Sequence, residues 1–193
     1  MYRLLPVLLL AGCAAQTEGV PAAPPVQGAP SQTGGTAQST AQQDARLLNF
    51  LDAAFDAQVA LSPESLTSLG SKQDYGKLDD YTLEAEARSL ALAERQLAEM
   101  RAQFDPATLG PSARLSYELF ERQVEREREG ARFSAYAFPV STNGTPAGEI
   151  PVFLINQHKI DSSADAEAYI ARLRDSQRVM NETVAVMRQQ AAM

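Results

Sequence analysis

The chain has 193 residues, with 17 Lys plus Arg against 24 Asp plus Glu, a formal net charge of −7, one cysteine and one histidine. An acidic balance of this kind leaves no electrostatic footprint for nucleic acid. A solitary cysteine rules out an intrachain disulfide.

Arg3 and the amino terminus supply a minimal positive region, followed by the apolar run Leu4 to Ala11. A spanning helix needs about 20 apolar residues, so this run reads as a secretory leader. Its close, Leu10-Ala11-Gly12-Cys13, resembles the lipobox of bacterial lipoproteins. That resemblance implies cleavage after Gly12, leaving residues 1–12 as signal peptide, and a diacylglyceryl group on the Cys13 thiol. Two acyl chains give stable anchoring, so the membrane is an expected partner through Cys13. The expected location is the periplasmic side of the cell envelope. Ala14, standing where an aspartate would retain the protein, favours the outer over the inner membrane. Cleavage also removes Arg3, leaving 16 Lys plus Arg against 24 Asp plus Glu and a charge of −8.

Residues 13–43 continue in Ala, Pro, Gln, Gly, Ser and Thr, stiffened by Pro21, Pro24, Pro25 and Pro30 and loosened by Gly34 and Gly35. Such a segment buries too little apolar surface to offset the entropy of ordering, and it reads as a disordered tether. Residues 44–193 form the expected folded region. A chain of that size buries roughly 70% of its unfolded surface and forms one core unaided.

Within it, Asp44 to Leu61 reads as an amphipathic helix with Leu48, Leu51, Phe55 and Val59 on its apolar stripe. Ser62-Pro63-Glu64 predicts an N-cap and the start of a short helix that stops near Gly70. Asp74 to Tyr81 is a polar connection. Thr82 to Phe104 predicts a long helix with Leu83, Ala87, Leu90, Leu97, Met100 and Phe104 on one face, ended by Asp105-Pro106. Pro111 to Gly130 predicts another, burying Leu115, Tyr117, Leu119 and Phe120, with a solvated acid–arginine run at its end. Pro139, Gly144, Pro146, Gly148 and Pro151 interrupt the next stretch, predicting an irregular extended arm or short hairpin over residues 131–151. Ser162 or Ser163 then caps a last helix whose buried side should hold Ala166, Tyr169, Ile170, Leu173, Met180, Val184 and Met187. That helix runs to Met193 without a stop signal, and its end reads as a cut. The expectation is therefore all-α: a bundle or array of about four to five helices with one extended arm, the N-terminal part of a larger helical protein.

Chemistry is harder to find. There is no H-E-x-x-H, Gly-rich phosphate loop or G-x-S-x-G elbow, and a zinc site needs several ligands brought together. His158 either hydrogen-bonds within the fold or lines a groove. Asp74, Asp79 and Asp80 lack the EF-hand pattern. No catalytic residue and no metal ligand is assigned.

Five runs together resemble the N-terminal part of a bacterial family, domain of unknown function 885 (DUF885). They are Ala60 through Gly70, Asp74-Tyr75 with Asp79-Asp80-Tyr81, Arg114 through Phe120, Phe153 through Asp161, and Ala164 through Leu173. The most distinctive is Asn156-Gln157-His158. The resemblance implies a large, mostly helical exported protein of lipoprotein type, similar to zinc-dependent peptidases whose metal helix lies in a second half of the sequence. No ligand carries over to this chain, so no cofactor is expected here and zinc only in longer relatives. Asn156, Gln157 and His158 would line a substrate cleft for a peptide in the complete protein. The alternative is a self-contained helical binding or scaffolding lipoprotein of the cell envelope.

Overall fold

The computed structural model describes residues 33–142 and 144–192. The leader, Cys13 and most of the proposed tether lie outside them. Among the described residues there are six α-helices and no named strand: α1 (Thr33–Val59), α2 (Pro63–Ser68), α3 (Leu83–Gln103), α4 (Pro111–Ala131), α5 (Pro146–Gln157) and α6 (Ser163–Ala191). The all-α expectation holds. None of these helices is long and apolar enough to cross a membrane.

Helix ends follow local chemistry. Ser62, Thr82 and Ser162 are extended N-cap residues whose hydroxyls accept from Ser65, Ala85 and Asp165 N–H groups. At the end of α2, Gly70 has φ of 87°. Its N–H donates to Thr67 O and that of Ser71 to Leu66 O, the paired bonds of a Schellman close, which requires a left-handed residue. Phe104 closes α3 in an extended conformation, and Asp105 accepts from Ala107 to open a 3₁₀ turn, Pro106–Thr108.

Two differences from the expected elements matter. Helix α1 begins at Thr33 rather than Asp44, so it takes in the last part of the segment read as tether. No proline interrupts it between Pro30 and Pro63, and Ala37, Gln38, Ala41 and Gln42 are good helix formers. The arm is also shorter than expected. Residues 134–136 form a 3₁₀ turn, Ser141 and Gly144 make an isolated bridge, and α5 starts at Pro146. Pro146 stands at the first helical position, where a proline is favoured, and Thr145 caps it by accepting from Ala147. Pro151 lies inside the helix and leaves the Ala147 carbonyl without its usual donor.

The helices gather around two apolar clusters. Leu47 of α1, Ala93, Leu97 and Met100 of α3, Phe104 and Leu109, and Ala113, Tyr117 and Val124 of α4 form the first, with Phe50, Leu51 and Phe120 against it. The second joins Leu78 from the connection before α3 to Ile150 and Leu154 of α5 and Val179 of α6. Gln58 and Gln96 bridge α1 and α3, and Gln96 also donates to Ala54 O at 3.1 Å.

Val59, Leu97, Met100, Phe104 and Tyr117 are buried as expected, but other expected stripe positions are not. Leu48 and Phe55 are exposed while Leu47 and Ala54 are buried; Ala87 of α3 is exposed, as are Leu115 and Leu119 of α4. Doublets such as Leu47-Leu48 and Phe50-Leu51 present apolar groups in two directions about 100° apart, so the stripe alone leaves the rotation open. The shift is largest on α6. Its buried positions are Asp165, Arg172, Val179, Thr183, Val186 and Gln190, whereas Ile170, Leu173, Val184 and Met187 are exposed.

Candidate functional site

The most elaborate polar arrangement lies where α2, the connection from Ser71 to Tyr81, the end of α5 and the first half of α6 meet. At its centre Arg172 is fully buried. Its Nε donates to Lys77 O at 2.8 Å, and Nη2 donates to Thr67 Oγ1 at 2.7 Å and Pro63 O at 3.2 Å. Nη1 meets His158 Nδ1 at 2.9 Å. A guanidinium can only donate, so Nδ1 must accept. The ring proton therefore sits on Nε2, which donates to Asp165 O at 2.9 Å. His158 is thus the neutral Nε2–H tautomer with both nitrogens committed. Burial pushes its pKa down, the adjacent guanidinium pushes the same way, and the Asp165 carbonyl opposes them.

Aromatic rings wall this pair. Tyr75 stacks on His158 at 4.0 Å between centroids and Tyr169 meets it edge-on at 5.3 Å. The Arg172 guanidinium lies 5.1 Å from the ring centres of both Tyr75 and Phe153, within cation–π range. The Tyr75 hydroxyl donates to Lys159 O and accepts from Lys159 N–H, fixing the chain just after His158.

Among the described residues no carboxylate pairs with Arg172; its charge is balanced at longer range. Glu64 and Asp79 exchange backbone-to-carboxylate bonds of 3.0 Å, Ser62 Oγ donates to Asp79 at 2.7 Å, and the Tyr81 hydroxyl donates to Glu64. Burial, then the neighbouring Asp79 charge, raises the Glu64 pKa, and burial also raises that of Tyr81. Burial lowers the pKa of Arg172. Beside the knot, Lys72 bridges Asp161 and Asp165 at 3.1 and 2.8 Å. Hydrogen bonds from Lys72 and Ser162 hold the Asp165 carboxyl down at about 2.

The three residues of the distinctive segment part company here. Asn156 and Gln157 stand exposed at the end of α5. His158 turns inward and is only 6% exposed. An open groove of about 790 Å³ runs nearby between Gly76–Asp80 and the α6 residues Ala171 to Glu182. Arg178 on its wall is already held by Asp175, Glu182 and the carbonyls of Leu78 and Asp79.

As for zinc, no group of three or more His, Cys, Asp or Glu able to hold a metal exists among the described residues, and neither His158 nitrogen is available as a ligand. The residues present do not fit that ion. Asp79 and Asp80 instead cap and brace loops, as when Asp80 accepts from Thr82. What sequence reasoning missed was Arg172 and its partners Thr67, Glu64 and Tyr75. The available signal was their place in the runs that carry the resemblance.

The fold and this knot define a class of all-helical protein in which a buried Arg172–His158 pair joins four elements. The model of the family described as bacterial protein of unknown function (DUF885) matches residues 63–193, more than half of the chain, and the protein belongs to that family. No curated protein matches the chain, and no solved structure does.

Proposed function

We propose that this chain is the non-catalytic, N-terminal helical part of an exported zinc metallopeptidase-like protein held on the periplasmic side of the envelope by a lipid on Cys13. One observation carries the non-catalytic part of this reading. The only imidazole is neutral and doubly bonded, to Arg172 and to Asp165 O, so it has no lone pair left for a metal or a substrate proton. The metallopeptidase-like relationship rests on the resemblance. The anchor rests on the Leu10-Ala11-Gly12-Cys13 motif. In the complete protein, the exposed edge of α5, with Val152, Ile155, Asn156 and Gln157, would face a peptide cleft. The buried knot behind it would hold that edge rigid.

Expression of the full chain in bacteria fed radiolabelled palmitate tests the anchor. Label on the wild-type protein and partition into a detergent phase, both lost in Cys13→Ala, are expected. An unlabelled Cys13 thiol on the exported product would overturn it.

A further inference from the structure

Helix α6 carries two stripes. One, through Asp165, Arg172, Val179, Val186 and Gln190, packs inward. The other runs Ala166, Ile170, Leu173, Gln177, Met180, Val184, Met187 and Ala191; Ala166 and Met180 are half-buried, and Met180 also packs against the second apolar cluster. Its spacing alternates four and three residues without a break, the 3.5-residue repeat of a coiled-coil seam. Seven-residue repeats of this regularity are not needed to pack a helix on its own domain. Ile170, Leu173, Val184 and Met187 are 45%, 49%, 45% and 37% exposed. The seam extends over roughly 37 Å at 1.5 Å per residue.

We propose that a second copy of this chain covers this seam, with the two α6 helices antiparallel. The seam is close to its own mirror in sequence. Antiparallel pairing about a point between Arg178 and Val179 sets Ile170 against the second copy's Met187, Leu173 against its Val184, Gln177 against its Met180 and Ala166 against its Ala191. Every large apolar residue of the stripe meets another or the central Gln177. A single polar residue within such a seam fixes its register.

Charge selects the direction. The outer flank of the seam carries Glu167, Arg174, Asn181 and Arg188, all exposed. In the antiparallel register Glu167 lies beside the second copy's Arg188, twice by symmetry, and Arg174 lies beside Asn181. A parallel, in-register pair would leave Glu167 and Arg188 roughly 32 Å apart along the axis and gain no such pairing. A self-complementary patch meeting its own copy is what a twofold interface requires.

The test uses the full chain with Cys13→Ala, so that neither lipid nor the native thiol intervenes, and sedimentation equilibrium as the readout. A dimer is expected. Glu167→Arg or Arg188→Glu alone should raise its dissociation constant at least about tenfold, and the double reversal should restore it. In the same background, Ile170→Cys protein mixed with Met187→Cys protein should form an interchain disulfide that neither variant forms alone. These positions are exposed, so helix content by circular dichroism should not change. A monomer at ~100 μM, a dimer indifferent to the charge swap, or cross-linking of Ile170→Cys to itself would overturn the proposal. Because the palmitate experiment reads Cys13 alone, a failure here leaves the anchored, non-catalytic reading standing.

Discussion

Arg172 and His158 show how one buried contact fixes the chemistry of a residue. Replacing Arg172 with Ala takes the donor from the Lys77 carbonyl and from His158 Nδ1, while the Pro63 carbonyl keeps the Thr67 hydroxyl. At about 1–3 kcal/mol for each unsatisfied buried group, the loss should be at least about 2 kcal/mol in urea unfolding. Arg172→Lys should fall between, because an ammonium keeps the charge but not the three-nitrogen reach. The pH dependence follows from the depressed His158 pKa. The unfolded chain binds a proton near pH 6.5 and the folded chain only at lower pH, so stability is full above about 6.5 and falls as pH drops below it. Glu64 works in the opposite sense: its folded pKa is raised above 4.5, so it adds stability as pH falls below that raised value. His158→Gln separates the two. It should be less stable at pH 7.5, yet lack the decline below pH 6.5 that is expected of the wild type in thermal melts. An identical pH slope in both proteins would contradict the tautomer assignment.

At the level of elements, the most legible features were the helix ends. Ser62 before Pro63, the stop at Gly70, Thr82, Asp105-Pro106 and Pro111 each bring their own local hydrogen-bonding chemistry, and each stands at or next to an element boundary. The buried face of α3 was legible in Leu97, Met100 and Phe104, but those of α1, α4 and α6 were not, because apolar doublets on α1 and α4 and a second apolar stripe on α6 point two ways at once. Helix α5 was hidden by Pro146, Gly148 and Pro151, which read as breakers although the first of them occupies a position that prefers proline. Of the candidate site, the run Asn156-Gln157-His158 was recognised. Its partner Arg172 was not, since a charged residue on a helix normally belongs to the solvated face. Two substitutions probe the elements. Gly70→Ala should cost about 1–2 kcal/mol, the price of a left-handed non-glycine residue, measured as a shift in the urea midpoint. Gly76→Val should cost about 1–3 kcal/mol by overpacking. A Cβ at Gly76 already lies 3.4 Å from the Ala171 methyl, so two further methyls would push the connection away from α6.

For the molecule as a whole, most acids and bases outside the knot lie on helix surfaces, where pairs such as Arg128 with Glu94 and Arg132 with Glu129 contribute little each. Stability rests on the two apolar clusters, and Leu97→Ala in the first should cost about 2–5 kcal/mol. The polar knot adds geometric definition rather than an exposed reactive group. The central proposal remains that this chain shapes and positions a cleft whose catalytic groups lie elsewhere. The most direct measurement compares the 193-residue chain with an extended protein in which the same region is followed by a second half carrying a metal helix, reading bound zinc and peptide hydrolysis together. The account predicts metal and activity only in the extended protein. Zinc and turnover in the 193-residue chain, both lost in His158→Gln, would contradict it.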